Sequence, residues 1–420
     1  MKIAIVGAGI SGLTTALSLH AAGLPATVFE AVARPAPLGV GINVLPHAMR
    51  ELTALGLLPD LRAAGVEIDE LVYLMKDGRE IWRERRGLAA GYAWPQVAIH
   101  RGELQTRLLA AVQARLGPQA VRFGHALQRL ETGDDGVTAH FADRATGAPA
   151  GRVEADVLIA ADGIHSAARR QFYPDEGRPR WNGVTLYRST SRSGKVLGGR
   201  SMLWAGHARQ KFVAYPIGYD PETGETRLNW ICDLKTAEPG AAPPAEDWNR
   251  QGDRAALMAP YAAWRWPGVD VPALIAASEG IYEFPMVDRD PLPRWTFGRT
   301  TLLGDAAHPM YPIGSNGATQ GIIDARAVAF HLATAPTPGE ALSRYEAERR
   351  PATGRIVLTN RQGGPDTVME LAEQRAPDPA DDLDALVPMA ERQAIADGYK
   401  RVAGFDPAAL TAPSQYVAPR

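Results

Sequence analysis

Asp305 and His308 stand three residues apart in the stretch LLGDAAHPMYPIGSNGATQGIIDA, Leu302 to Ala325, where a strand-like run gives way to a helix-like one. Three kinds of chemistry suit such a loop. A D-x-x-H pair could ligate a metal, but a metal needs three or four ligands, and no H-x-x-x-H or carboxylate cluster stands nearby in the sequence. A hydrolase elbow needs G-x-S-x-G, and Ser315 sits instead in GSNG. The third reading is a cradle for a flat, anionic cofactor. Pro309 and Pro312 would stiffen such a cradle, Gly314 and Gly317 would let a ring approach, and the N–H groups of a helix start would hold negative charge.

The amino terminus carries a second cradle. Lys2 to Val6 leads into GAGISG, a helical period covers Ser11 to Ala22, and PATVFEA reads as a second strand. Gly7, Gly9 and Gly12 thus have the G-x-G-x-x-G spacing in a strand–turn–helix setting, which puts a diphosphate on the positive end of a helix. Glu30 follows Gly12 by eighteen residues, where a carboxylate accepts hydrogen bonds from ribose hydroxyls rather than tolerating a ribose phosphate. On these residues alone NAD and FAD both remain open.

Two further acids end buried strands. VEADVLIA runs into ADGIHSAARR, placing Asp162 and Gly163 in a turn, and the strand Thr300 to Leu303 ends at Gly304-Asp305. A carboxylate just past a buried strand is where an α/β sheet meets its ligand. Together with the first cradle, the two acids imply a long cofactor spanning three separated segments. No second G-x-G-x-x-G with flanking strands appears, so no separate nicotinamide domain is expected.

GAGISG with Glu30, ADGIHSAAR and LLGDAAHPMYPIGSNG resemble the three signatures of the FAD-dependent aromatic hydroxylases of the para-hydroxybenzoate hydroxylase class. The likeness runs from residue 1 to about residue 360. Within the family, PLGVGINVLP, IHRGELQ, VAYPI and FPMVDRDPLPRW most resemble the phenazine-carboxylate monooxygenases. The resemblance implies non-covalent FAD, with NADH or NADPH as a visiting co-substrate. It implies that Gly7, Gly9, Ser11, Gly12, Glu30 and Ala31 hold the ADP half, with Leu127 completing that end of the site. Arg101 would lie near the phosphates, Asp162 and Gly163 beside the pyrophosphate, and Asp305 on the ribityl chain. Pro312, Gly314, Asn316 and Gly317 would face the pyrimidine edge of the isoalloxazine, and Gly41, in LGVGIN, its other flank.

On that reading the reaction is hydroxylation of a planar aromatic or heteroaromatic ring by O2 through a flavin hydroperoxide, and most of the chemistry belongs to the cofactor. The residues expected nearest the reaction are Pro312, Gly314, Tyr215 and Arg188. Tyr215, in VAYPI, would donate to a phenolic or carbonyl oxygen. Arg188, in LYRST, would pair either a substrate anion or a neighbouring acid. The alternatives are a flavin-dependent halogenase and a flavoprotein that sequesters an aromatic ligand. WRWPG, Trp264 to Gly268, only superficially resembles the halogenase signature W-x-W-x-I-P.

The elements that must position these residues follow. We expect an α/β fold whose Rossmann-like FAD-binding domain opens on a βαβ unit and is interleaved with a mixed-sheet substrate domain, with C-terminal helices. The FAD-binding part spans residues 1–75, 98–175 and 285–360, the substrate sheet 76–97 and 176–284, and the helical extension 361–420. Tyr187, Trp204, Phe212, Tyr215, Trp230, Tyr282 and Phe284 supply the sheet's aromatics, singly readable as core and jointly as walls of a flat pocket. The extension would cover the pocket mouth or mediate a homodimer contact. A valine at Gly314 would push the loop off the ring and leave FAD bound.

The bulk numbers agree with an ordinary enzyme. With 420 residues and a net charge of -2, nothing favours nucleic acid or an anionic membrane as a partner. The single cysteine, Cys232, excludes an internal disulfide and Cys-based metal centres, and reads as a buried inert thiol in a cytoplasmic protein. The uncharged run Ile3 to Leu24 imitates a membrane span, but its glycines and hydroxyl residues fit a strand, turn and helix better. RERRG, Arg83 to Gly87, reads as a solvated hairpin.

Overall fold

The computed structural model describes residues 1–34, 40–194, 196–238, 240–243 and 250–417. Leu38 and Gly39 of LGVGIN lie outside the described residues.

Ile3–Val6 is apolar at every position because it is buried on both faces. Uniform apolarity is what a central parallel strand requires, and it explains why this segment imitates a membrane span. It runs as a strand into a glycine turn and the helix Ile10–Ala21. Among the described residues no helix is long and apolar enough to cross a membrane. Ile3–Val6 pairs in parallel with Ala26–Phe29 on one side and Val157–Ala160 on the other. The sheet has six strands, in the order Thr296–Phe297, Thr300–Leu302, Val157–Ala160, Ile3–Val6, Ala26–Phe29, Val121–Arg122. Gly7, Glu30, Asp162 and Asp305 therefore all emerge at the carboxyl edge of one sheet, on either side of its switch point.

A second, seven-stranded sheet is mixed: Ser201–His207 pairs in parallel with Glu70–Leu74, and its other pairings are antiparallel. Residues 70–74 lie in this sheet, so it recruits chain ahead of residue 76. Period-two alternation gives the sheet two buried faces. Phe212, Trp230 and Cys232 pack outward with Tyr261, Trp264 and Trp266. Trp204, Val213 and Tyr215 face inward, against residues of the C-terminal helices. The aromatics thus divide between the faces. Burial pushes the Cys232 thiol well up, so it is inert.

RERRG departs from expectation. Arg83 and Arg85 are exposed, but Glu84 and Arg86 are buried. The cause is the same alternation: Glu80–Arg85 is an edge strand, and its inward positions lie under the helix Met389–Ala403, where Lys400 pairs with Glu84 and Arg86 donates to Glu84 at 2.7 Å.

Candidate FAD and substrate site

The glycine turn is tightly built. Gly7 N–H donates to the Phe29 carbonyl at 2.7 Å, and Gly12 stands so close that a Cβ there would lie 1.9 Å from the Gly7 oxygen. At Gly9, by contrast, a Cβ would meet nothing within 4 Å, so the backbone opens on free space at the N-terminus of the helix Ile10–Ala21. The Ser11 side chain is turned the other way, against Gly304 and Gly321. Its backbone is the part available to a phosphate. Glu30 accepts from Ala8 N–H at 2.7 Å and Val32 N–H at 2.9 Å, fixing its carboxylate beside the turn with acceptor capacity to spare. Ala31 follows it, half-buried, whereas the Leu127 side chain is packed into the core. The helix Arg101–Leu116 leans on the turn, Gln105 Nε2 donating to the Ala8 carbonyl at 2.8 Å, and so brings Arg101 to the same cleft.

Asp162 Oδ2 accepts from Ala167 N–H at 2.8 Å, while its Oδ1 is buried without a partner. Burial pushes this carboxyl up. Asp305 is reached by water yet enclosed by protein. Burial raises its pKa, and His308 and Arg101 oppose the rise. A pair of solvent-reached but walled charges describes a deep cleft. Arg169, missed as a functional residue in the sequence, ties the two acid turns together: it is 2 % exposed and donates to the Ala306 and Ala307 carbonyls at 3.1 and 2.9 Å. An orphaned carboxylate oxygen, an open glycine cradle and an enclosed Arg–Asp pair fit a long anionic cofactor.

His308 does not point into this cleft. Its Nε2 meets Asp324 Oδ2 at 2.5 Å, and Asp324 also accepts from Arg349 Nε at 2.7 Å. Burial alone would raise the Asp324 carboxyl, but His308 and Arg349 more than offset it, so Asp324 titrates low and stays charged. The histidine of D-x-x-H is therefore part of an internal brace, and its aspartate is not. Among the described residues no three His, Cys, Asp or Glu side chains gather as a metal site would need.

The loop itself is tight. Ile313–Ser315 is one 3₁₀ turn with Gly314 at φ +69°, and Ser315 also has positive φ, at 59°. A non-glycine residue so placed is held there by its surroundings. Gly317 starts the helix Gly317–Thr334, and a Cβ on it would come no nearer than 4.0 Å to Asp305 Oδ1, so this helix start opens on the cleft. Asn316 is fully buried and turned away from the cleft, its Nδ2 donating to the Gly314 carbonyl at 3.1 Å and to Tyr399 Oη at 2.9 Å. Only its backbone is available to a flavin. Gly314 is needed for a reason the sequence hid: a Cβ would lie 2.1 Å from Tyr399 Oη. A valine at Gly314 would therefore displace Tyr399 before it moved the loop off a ring, so its effect would reach the protein's own packing as well.

Gly41 is likewise spoken for. Its N–H donates to Asn229 Oδ1 at 2.6 Å, and a Cβ would lie 2.6 Å from Asn229 and 2.8 Å from Ile217. Arg188 Nη2 donates to the Gly41 carbonyl at 3.1 Å, and the Tyr215 phenol lies beside Arg188 and Asn43. Arg188 Nε and Asn229 Nδ2 are buried without partners. Of the two readings of Arg188, pairing with a neighbouring acid is not what the described residues show: it contacts a carbonyl and a phenol. Burial raises the Tyr215 phenol, which keeps it a neutral donor. Pro312 precedes the loop turn.

His47, in the helix Pro46–Ala54, lies behind this wall, stacked on Phe405 with ring centroids 5.2 Å apart. Burial, Arg50 and Arg349 push its pKa down to about 3. A histidine held neutral gives stability that is fully present above its unfolded pKa of 6.5 and is lost as pH falls from there toward 3. Between pH 7.5 and 5.5 the wild type should lose about 1.4 kcal/mol more than His47→Asn. Urea unfolding at the two pH values checks this. Equal losses in both proteins would show that His47 does not couple.

The sequence profile of the FAD binding domain family matches residues 1–359. The chain is similar to the phenazine 1,6-dicarboxylic acid hydroxylase PhzS of Lysobacter antibioticus, with 45% identity over 90% of this chain and 92% of that protein. It is 34% identical to the 3-amino-4-hydroxybenzoate 2-monooxygenase PtnB3 of Streptomyces platensis, covering 97% and 96% of the two chains. Klebsiella pneumoniae HpxO, solved with FAD and uric acid, matches with a TM-score of 0.74 and 25% identity over 98% of this chain and 97% of its own. The halogenase alternative finds no support. These relatives hydroxylate or oxygenate, and Trp264 and Trp266 of WRWPG pack in the core on the outer face of the sheet. The chain belongs to the FAD-binding family of aromatic hydroxylases and is an FAD-dependent, NAD(P)H-using aromatic monooxygenase.

Proposed function

We propose that the substrate is a planar aromatic carboxylic acid whose carboxylate meets Arg188 and whose ring oxygen or nitrogen meets Tyr215. The observation that carries this is the pair of unpartnered buried donors, Arg188 Nε and Asn229 Nδ2, beside a neutral Tyr215 on the inward face of the sheet. A buried donor without an acceptor costs about 1–3 kcal/mol, so such groups are expected where a ligand supplies the acceptor. The names of both relatives, a phenazine dicarboxylic acid hydroxylase and an aminohydroxybenzoate monooxygenase, agree with an aromatic acid.

FAD, when bound, supplies the redox and oxygen chemistry after NAD(P)H has reduced it. The ADP half would rest on the turn Gly7–Gly12, Glu30 and Arg101, the middle on Asp162 and Asp305, and the ring against Pro312–Gly317. The chain's own work is to hold negative charge with the N–H dipoles of the helix start at Gly317, to orient the aromatic ring through Arg188 and Tyr215, and to keep water from the ring with the sheet and the C-terminal helices. Two further parts of this proposal are cytoplasmic residence, resting on the single cysteine, and the lack of a nucleic-acid partner, resting on the net charge of -2. The test is a screen of planar aromatic acids against the purified yellow protein, following NAD(P)H oxidation. One class of acid should accelerate it at least tenfold, and its decarboxylated analogue should not. Tight binding of an acid without acceleration would favour sequestration instead.

A further inference from the structure

We infer that Tyr399, in the C-terminal helix Met389–Ala403, is a positioning residue for the flavin-facing loop, and that residues past the stretch the family profile matches complete the site. The family profile ends at residue 359, and Tyr399 lies forty positions past it. Its hydroxyl is 2.9 Å from Asn316 Nδ2, 3.0 Å from Asn360 Oδ1 and 3.2 Å from the Ile313 carbonyl. A hydroxyl has one proton, so Tyr399 accepts from Asn316 and donates to one of the other two. Asn360 Nδ2 in turn reaches the Tyr311 and Ile313 carbonyls, each at 3.2 Å.

These bonds end a buried chain that starts under the other cofactor segment. Gly304 N–H and His308 meet Asp324, Asp324 meets Arg349, and Arg349 Nη2 donates to Gln320 Oε1 at 2.7 Å. Gln320 Nε2 donates to Asn316 Oδ1 at 3.1 Å. Both ends of the stretch Asp305–Gly317 are thus held from behind by one network, which the last helix joins through the Tyr399 hydroxyl and through the Ala403 carbonyl, which accepts from Gln320 Nε2 at 3.1 Å. Lys400, next after Tyr399, pairs with buried Glu84 on the edge of the substrate sheet. Consecutive residues of one helix turn therefore fix the loop and the sheet with respect to each other.

A loop carrying positive φ at both Gly314 and Ser315 does not hold its shape unaided, and the direction of its N–H groups depends on these bonds. The inference rests on the proposed placement of the isoalloxazine against Pro312–Gly317. Tyr399→Phe keeps the ring, its packing against Gly314 and the edge contact with Phe405, and removes only the hydroxyl. It should fold, retain FAD, and show a more negative reduction potential of the bound flavin in dye-equilibration titrations. The fraction of NAD(P)H oxidised to hydrogen peroxide should rise several-fold, up to roughly tenfold for the loss of one buried hydrogen bond. Asn360→Leu, which is close in volume, adds no charge and removes the donor to both carbonyls, should move the potential in the same direction and serves if Tyr399→Phe does not fold. Tyr416→Phe, whose hydroxyl is bonded to Glu348 and not to the loop, should leave the potential unchanged. An unshifted potential in folded Tyr399→Phe or Asn360→Leu overturns the inference. Because the potential is read without substrate, its failure is separable from a wrong assignment of the aromatic acid.

Discussion

Gly9→Ala should give a folded protein that has lost most of its FAD. In the protein alone this substitution is free: Gly9 has φ -73° and ψ -179°, ordinary for any residue, and an added methyl meets nothing within 4 Å. Only a ligand lying on the turn would collide with it. Gly12→Val is the complementary variant, because its Cβ meets the Gly7 carbonyl oxygen at 1.9 Å whether or not FAD is present. Relieving that overlap must open the turn or shift the helix, a cost of 1–3 kcal/mol or more for overpacking. Gly12→Val should therefore lose both FAD and thermal stability, and Gly9→Ala FAD alone. The flavin-to-protein absorbance ratio should fall at least tenfold in each. A Gly9→Ala protein with wild-type FAD content would place the diphosphate elsewhere.

The second large effect is expected at Arg188. Arg188→Met keeps the unbranched stem of the side chain and removes the guanidinium, with its bond to the Gly41 carbonyl and the unpartnered Nε. FAD binding should persist, since Asn229 still holds the Gly41 N–H at 2.6 Å. Loss of a hydrogen bond to a charged group, about 1.5–3 kcal/mol, should raise KM for an aromatic acid on the order of 10–100-fold. The decarboxylated analogue should bind nearly equally to both proteins. An equal loss for acid and analogue would make Arg188 a fold-stabilising residue rather than the anion's partner.

What the sequence disclosed was local. The turn Gly7–Gly12, the acid at Glu30 and the acids Asp162 and Asp305 each follow a short apolar strand, so spacing along the chain was enough to find them. That they share one sheet edge follows from the parallel pairing of four such strands. The rest depended on contacts between distant residues. Nothing in IADGYKRV announces that Tyr399 meets a loop eighty-three positions earlier. Nothing in SAARR shows that Arg169 crosses to the carbonyls of Ala306 and Ala307. Gly41 and Gly314 were read as close approaches to a ring, but the near neighbours that require glycine are Asn229 and Tyr399. RERRG carried its alternation openly, and the inward pair Glu84 and Arg86 was hidden only because a charge cluster is ordinarily solvated.

The central claim is that this chain passes one atom of dioxygen to an aromatic acid. The direct test is isotopic. The FAD-loaded protein, NAD(P)H and an acid that accelerates its oxidation are incubated under ¹⁸O2, and the product is analysed by mass spectrometry. The prediction is one ¹⁸O atom in a hydroxylated product, in near one-to-one proportion to NAD(P)H consumed. If the acid is recovered unchanged while all consumed NAD(P)H is accounted for as labelled hydrogen peroxide, the protein is an oxidase toward these compounds and the account is wrong.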